Sequence, residues 1–192
     1  MPRPSQKEKI MEAALQCFAR RGYAGTRIRE IAEAANVSEA ALYRHFASKE
    51  AVAQSLFAYY FQEFGRRMKA AFTSGQPATE KLQNVVRLLL QAYREKPAAF
   101  NFVILNTPSF MPHLSPDTIY PMDVLEQIIK DGQAEGSLRN GQPNLLAAIF
   151  LGCVLRPLIV SQLADPGALD LLQDRRHDSV ILEAALASIR LR

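Results

Sequence analysis

The stretch Thr26–Glu50, TRIREIAEAANVSEAALYRHFASKE, decides how this chain is read. Ile28, Ile31, Ala32 and Ala35 fall on one face of a short helix that Thr26 is placed to cap. Asn36 breaks that helix, since Asn tolerates the left-handed conformation a tight interhelical turn needs. Ser38 caps the next helix, which turns Leu42 and Phe46 inward and leaves Glu39, Ala40, Tyr43 and Arg44 outward. An exposed Tyr beside Arg has no evident use in a helical bundle. Two short helices joined by a tight turn make a helix-turn-helix unit, whose second helix fits a DNA major groove about 12 Å wide.

The flanking sequence also reads as helices, because apolar residues recur at three and four with no strand-like alternation. Ser5 and Glu8 form a capping box for a first helix carrying Ile10, Ala14, Cys17 and Phe18, and Gly22 ends it. Ser48 caps a long fourth helix with Val52, Leu56, Tyr60, Phe64 and Met68 at spacings of four, continuing to Phe72. Leu82, Val85, Val86, Leu89 and Tyr93 define a fifth, and Pro97 opens a short sixth through Leu105. Ser115 and Pro116 suit the start of a seventh that stops near Gly136. An apolar eighth runs from Pro143 to Ala164, ended by Asp165-Pro166-Gly167, and a ninth carries Leu182, Ala185, Leu186 and Ile189. The expected fold is all-α, about nine helices, with a DNA-binding domain at 1–50 and a helical body at 51–192.

At 192 residues and 48% hydrophobic, the chain can bury a core without disulfide or metal staples. Its net charge is +4, yet residues 1–50 hold nine basic and six acidic side chains, so most of the surplus sits in the first quarter and favours a local anionic partner. Cys17 and Cys153 lack zinc-site spacing and read as reduced core thiols, and the amino terminus has no apolar signal region, which predicts the cytosol. Leu145–Leu163, LLAAIFLGCVLRPLIVSQL, is long enough for a membrane span. Arg156 and Pro157 interrupt it and no aromatic belt accompanies it, which favours a buried or interface helix and no membrane. No phosphate loop, nucleophile elbow, HExxH pair or close carboxylate pair suggests an enzyme, and no cofactor or metal is expected.

The stretch Thr26–Glu50 closely resembles the TetR (tetracycline repressor) family of bacterial transcriptional regulators. The resemblance rests on Thr26, Ile31-Ala32, Val37-Ser38, Leu42-Tyr43, His45-Phe46 and Lys49-Glu50, all in register. It is detailed over residues 5–55 and architectural beyond. Asn36 and Ala40 stand where the family often has Gly; the methyl of Ala40 points toward a groove. The resemblance implies phosphate contacts from Thr26, Tyr43, His45 and Lys49, and base contacts from Glu39, Ala40, Ala41 and Arg44. Arg27, which flanks the start of the second helix, and the cap Ser38 are further candidate DNA-binding residues. Arg44 suits guanine, Glu39 cytosine and the alanines a thymine methyl. Plainer roles stay open: His45 as a satisfied seam residue, Glu39 serving the helix dipole, and Arg27 as a solvated charge.

The same resemblance implies a homodimer through the last two helices, bound to a palindromic double-stranded operator, and a body that binds a small apolar or amphipathic ligand. Tyr93, Phe100, Phe110, Met111, Met122, Phe150 and Cys153 are candidate walls, with plain core as the competing role. Arg156, inside an apolar helix, calls for a partner: an internal acid such as Asp123 or Glu126, a carbonyl, or a ligand anion. The alternative function is a DNA-bound helical dimer that docks a protein partner and senses no metabolite.

Overall fold

The structure is a computed structural model that describes residues 5–73, 75–163, 171 and 174–191, with the backbone alone at Leu105, Thr107, Pro108, Met111, Gln162 and Leu163. Among the described residues the chain forms nine α-helices, one 3-10 turn (Met111–His113) and no strand. The helices are α1 (Gln6–Gly25), α2 (Ile28–Ala34), α3 (Glu39–Tyr43), α4 (Lys49–Ala70), α5 (Ala78–Glu95), α6 (Pro97–Phe110), α7 (Pro121–Ala134), α8 (Pro143–Leu163) and α9 (Asp178–Ala187).

Two compact units emerge, one comprising Met1–Gln62 with Pro97–Pro116 and the other Glu63–Lys96 with Asp117–Arg192. This division differs from the expected boundary at residue 50: it falls inside α4, and α6 joins the first unit. The reason is aromatic packing. Phe102 stacks on Phe18 at 5.5 Å between ring centres, and Phe110 lies 6.0 Å from Tyr23 and 5.8 Å from Phe57. These rings extend α6 past the expected Leu105 to Phe110. Buried residues such as Ile10, Leu42, Leu56 and Phe57 complete this core, each worth roughly 1.5–3 kcal/mol.

In the second unit α5, α7, α8 and α9 pack together around Tyr93, Leu125, Ile129, Phe150 and Ile181. Helix α7 starts at Pro121 and not at Ser115-Pro116 as expected. The preceding segment is held elsewhere: Thr118 is buried, and Ile119 lies so close to α4 that a Cβ on Gly65 would come within 2.5 Å of its carbonyl oxygen. The glycine lets that segment run against the helix. Gly136 takes φ 71 just after α7, as the expected stop requires. The breaker Asp165-Pro166-Gly167 lies outside the described residues.

Helix α8 is long and apolar enough by length and composition to cross a membrane. Its side chains divide between two faces. Leu146, Ala147, Phe150, Val154 and Leu158 are buried within the unit, and Leu145, Ile149, Gly152, Arg156 and Val160 are exposed. The expected internal ion pair of Arg156 is therefore corrected: the side chain stands on the outward face and pairs with neither proposed acid. Glu126 instead pairs with Lys130 at 2.8 Å.

Candidate nucleic-acid interface

The first unit builds its outward helix from local chemistry. The Ser5–Glu8 capping box starts α1, with Ser5 N–H donating to Glu8 Oε2 at 2.8 Å and Glu8 N–H to Ser5 Oγ at 3.2 Å. Gly22 at φ 71 kinks the end of α1. Between α2 and α3, Asn36 adopts φ 55, and the Val37 amide closes the turn by donating to the Ala32 carbonyl oxygen at 3.0 Å. The Ser38 side chain then caps α3, accepting from the Ala41 amide at 3.1 Å. Ile31, Ala32, Leu42 and Phe46 are buried beneath, so the orientation of α3 is set by core packing.

Glu39, Ala40, Tyr43, Arg44 and His45 are exposed, and Tyr43 retains 49% of its surface. Arg44 pairs with no acid among the described residues, which leaves its five donors for an incoming acceptor. Arg27 is exposed just ahead of α2. His45 is exposed as well, with Nε2 donating to Gln6 Oε1 at 3.0 Å. This links α1 to the end of α3 and combines the seam role with accessibility.

Three of the expected contact residues sit behind the exposed surface. Thr26 is 1% exposed and is not the N-cap of α2; its hydroxyl donates to the carbonyl oxygens of Gly22 at 2.8 Å and Cys17 at 3.2 Å. The cap position belongs to Arg27, whose amide donates to Glu30 Oε2 at 2.8 Å. Ala41 is 5% exposed and packs inward, since it shares the buried side of α3 with Leu42. Lys49 turns its ammonium onto the protein itself, donating to the carbonyl oxygens of Tyr23 and Thr26, each at 2.8 Å, beneath the face of the Tyr23 ring.

The supporting residues Gln6, Tyr23 and Glu30 escape sequence reading. Glu30 had a signal: it stands three residues after the true cap, in the capping-box position that assigning Thr26 as cap obscured. Its carboxylate also pairs with Arg21. The Arg27 amide holds it below the usual carboxylate range, helped by Arg21. Arg29 is tied to Glu33 at 2.7 Å and its ordinary pKa is raised by that hydrogen bond. Burial raises the Tyr23 hydroxyl, with the Glu50 carboxylate adding to the effect.

The candidate ligand residues divide between the units. Phe100 is half-buried in the first, and Phe110 there is core, stacked on Phe102 and met edge-on by Tyr23 and at a tilt by Phe57. The Met111 side chain lies outside the described residues. In the second unit Tyr93 and Phe150 are fully buried, Met122 and Cys153 are half-buried, and the Tyr93 hydroxyl donates to Ser161 Oγ at 3.5 Å.

Comparison with known proteins supports the reading of this surface. Residues 10–56, spanning α1 to the first turns of α4, match the family model for bacterial regulatory proteins of the tetR family. The HTH-type transcriptional regulator YvkB of Bacillus subtilis (strain 168) is 31% identical over 163 residues, 79% of this chain and 80% of that protein. The HTH-type transcriptional repressor DhaR of Mycobacterium sp. (strain GP1) is 27% identical over 173 residues, 81% of this chain and 84% of its own length. Among solved structures, a tetR-family regulatory protein from Rhodococcus RHA1 superposes with a TM-score of 0.78, covering 99% of this chain and all of its own at 20% identity. The match to YvkB over most of both chains, together with a helix-turn-helix that presents Tyr43 and Arg44 outward, establishes that this chain belongs to the TetR family of bacterial DNA-binding transcriptional regulators.

Proposed function

We propose that the chain works as a homodimeric cytoplasmic repressor released from a palindromic operator by a small apolar or amphipathic ligand. The observation that carries the DNA half is the exposed Tyr43–Arg44 pair on a helix whose opposite side is locked by Leu42 and Phe46. Arg44 reads a base edge through its planar fork, Glu39 and Ala40 contact neighbouring bases, and Tyr43 donates to a phosphate. Arg27 and His45 lie beside the backbone path, and Ser38 holds the start of α3. Thr26, Ala41 and Lys49 act behind the surface as supports.

Dimerisation is supported by the outward apolar stripe of α8, where Leu145 is 55% exposed, and by Val180 on α9 at 61%. Two copies of each helix pair by two-fold symmetry into a four-helix interface that covers the stripe with protein in place of lipid. In the body, half-buried Met122 and Cys153 and buried Phe150 supply soft walls for a ligand. Ligand binding then favours a separation of the two heads that no longer fits major grooves roughly 34 Å apart. Sedimentation of the full chain with a duplex selected from random sequence tests this reading. Two chains per inverted repeat is the expected stoichiometry, and a single chain bound with full specificity contradicts it.

A further inference from the structure

Within the second unit, α5 and the start of α9 border a cleft of about 740 Å³ that includes none of the candidate DNA-contact or ligand residues. Leu90 and Leu182 give it an apolar floor over buried Val86. Its two acids are already neutralised by the protein. Asp178 receives a bidentate Arg94 at 2.6 and 2.9 Å, and Glu95 is held by Arg67 at 2.9 Å. Two exposed guanidiniums remain, Arg87 and Arg175. Among the described residues Arg87 donates to the neutral side-chain oxygens of Asn84 and Gln83, and neither arginine pairs with a carboxylate. The cleft thus combines an apolar floor with two uncompensated positive charges, and its volume suits a small ligand.

We infer that the α5/α9 cleft is a binding site for a small amphipathic acid, whose aliphatic body lies on Leu90 and Leu182 and whose acidic head is held by Arg87 and Arg175. Guanidinium forks match an acidic head group geometrically and bind it by charge-assisted hydrogen bonds. The site is compatible with dimerisation through α9. At about 100° per residue, Leu182 stands roughly 200° around that helix from Val180, so a second copy seated on Val180 leaves the cleft free.

The test is photolabelling of the full chain with a diazirine-bearing decanoate, mapped by peptide mass spectrometry. Labels within residues 86–95 or 175–182 are expected, with decanoate competing and decanol failing to compete. The single variants Arg87→Gln and Arg175→Gln should each lower labelling there roughly tenfold, because each removes one charge-assisted contact. Both side chains are exposed, so the variants should keep the parent melting temperature and operator affinity. Labelling confined to other segments, undiminished labelling of both variants, or equal competition by decanol would overturn the site. Operator binding measured on the same samples separates that failure from a failure of the repressor reading.

Discussion

Lys49 Nζ lies 4.5 Å from the centre of the Tyr23 ring and donates to the Tyr23 carbonyl oxygen at 2.8 Å. One ammonium at the first residue of α4 thereby closes the end of α1, and through the Thr26 carbonyl oxygen it also holds the approach to α2. The proposed DNA-binding surface rests on this clamp.

Lys49→Met should therefore destabilise the chain by about 2 kcal/mol, because it leaves two part-buried carbonyl oxygens without their charged donor. Urea unfolding measures this. The salt dependence of DNA binding separates the clamp from a phosphate contact: losing a phosphate-bound Lys lowers the slope by about 1. Here the slope should stay at the parent value.

Glu30 gives a pH signature. Its carboxylate is held below the usual range by the Arg27 amide, so its stabilising contribution is fully present above the ordinary Glu value and is lost as pH falls through the lowered one. In thermal melts, Glu30→Gln should fall furthest below the parent near neutral pH. The gap should close as pH drops below about 4. A gap constant across that range would remove the carboxylate from the capping role.

At the proposed dimer face, Leu145→Glu and Ile149→Glu should each weaken self-association by roughly 100-fold, about 3 kcal/mol, because pairing would bury an unpartnered carboxylate. Sedimentation velocity should find monomers at micromolar concentrations where the parent is a dimer, with an unchanged helical circular dichroism spectrum. A dimer unaffected by either change would place the interface elsewhere.

Tyr43→Phe should weaken binding to every duplex by roughly 1 kcal/mol, since the lost hydroxyl touches a backbone oxygen and carries no base information. Fluorescence anisotropy on operator and random duplexes makes the comparison.

Where local rules governed, the sequence was readable. Capping by Ser5 and Ser38, the left-handed Asn36 and the inward Leu42 and Phe46 all follow from spacing and side-chain chemistry alone. Misreadings arose where a distant partner chose between local options. Ser115-Pro116 and Tyr120-Pro121 both resemble a helix start, and the close approach of Ile119 to Gly65 decides for the second. Lys49 at the start of α4 resembles a phosphate ligand until Tyr23, far back in the chain, captures it. An internal acid for Arg156 follows from an α8 that is apolar nearly all round, and periodicity does not tell which apolar face meets the core and which awaits another molecule. The ligand-candidate residues carried the least signal, since soft apolar side chains at helical spacing also make ordinary core, as Phe110 does.

Whether the outward face of α3 reads DNA is decided by duplex selection from a random library with the parent and with Arg44→Ala. The parent should enrich an inverted repeat. The variant should bind that repeat about 1 to 3 kcal/mol more weakly and recover a motif relaxed at one matching position in each half-site. Recovery of an unchanged motif, or equal weakening on selected and random duplexes, would contradict that role.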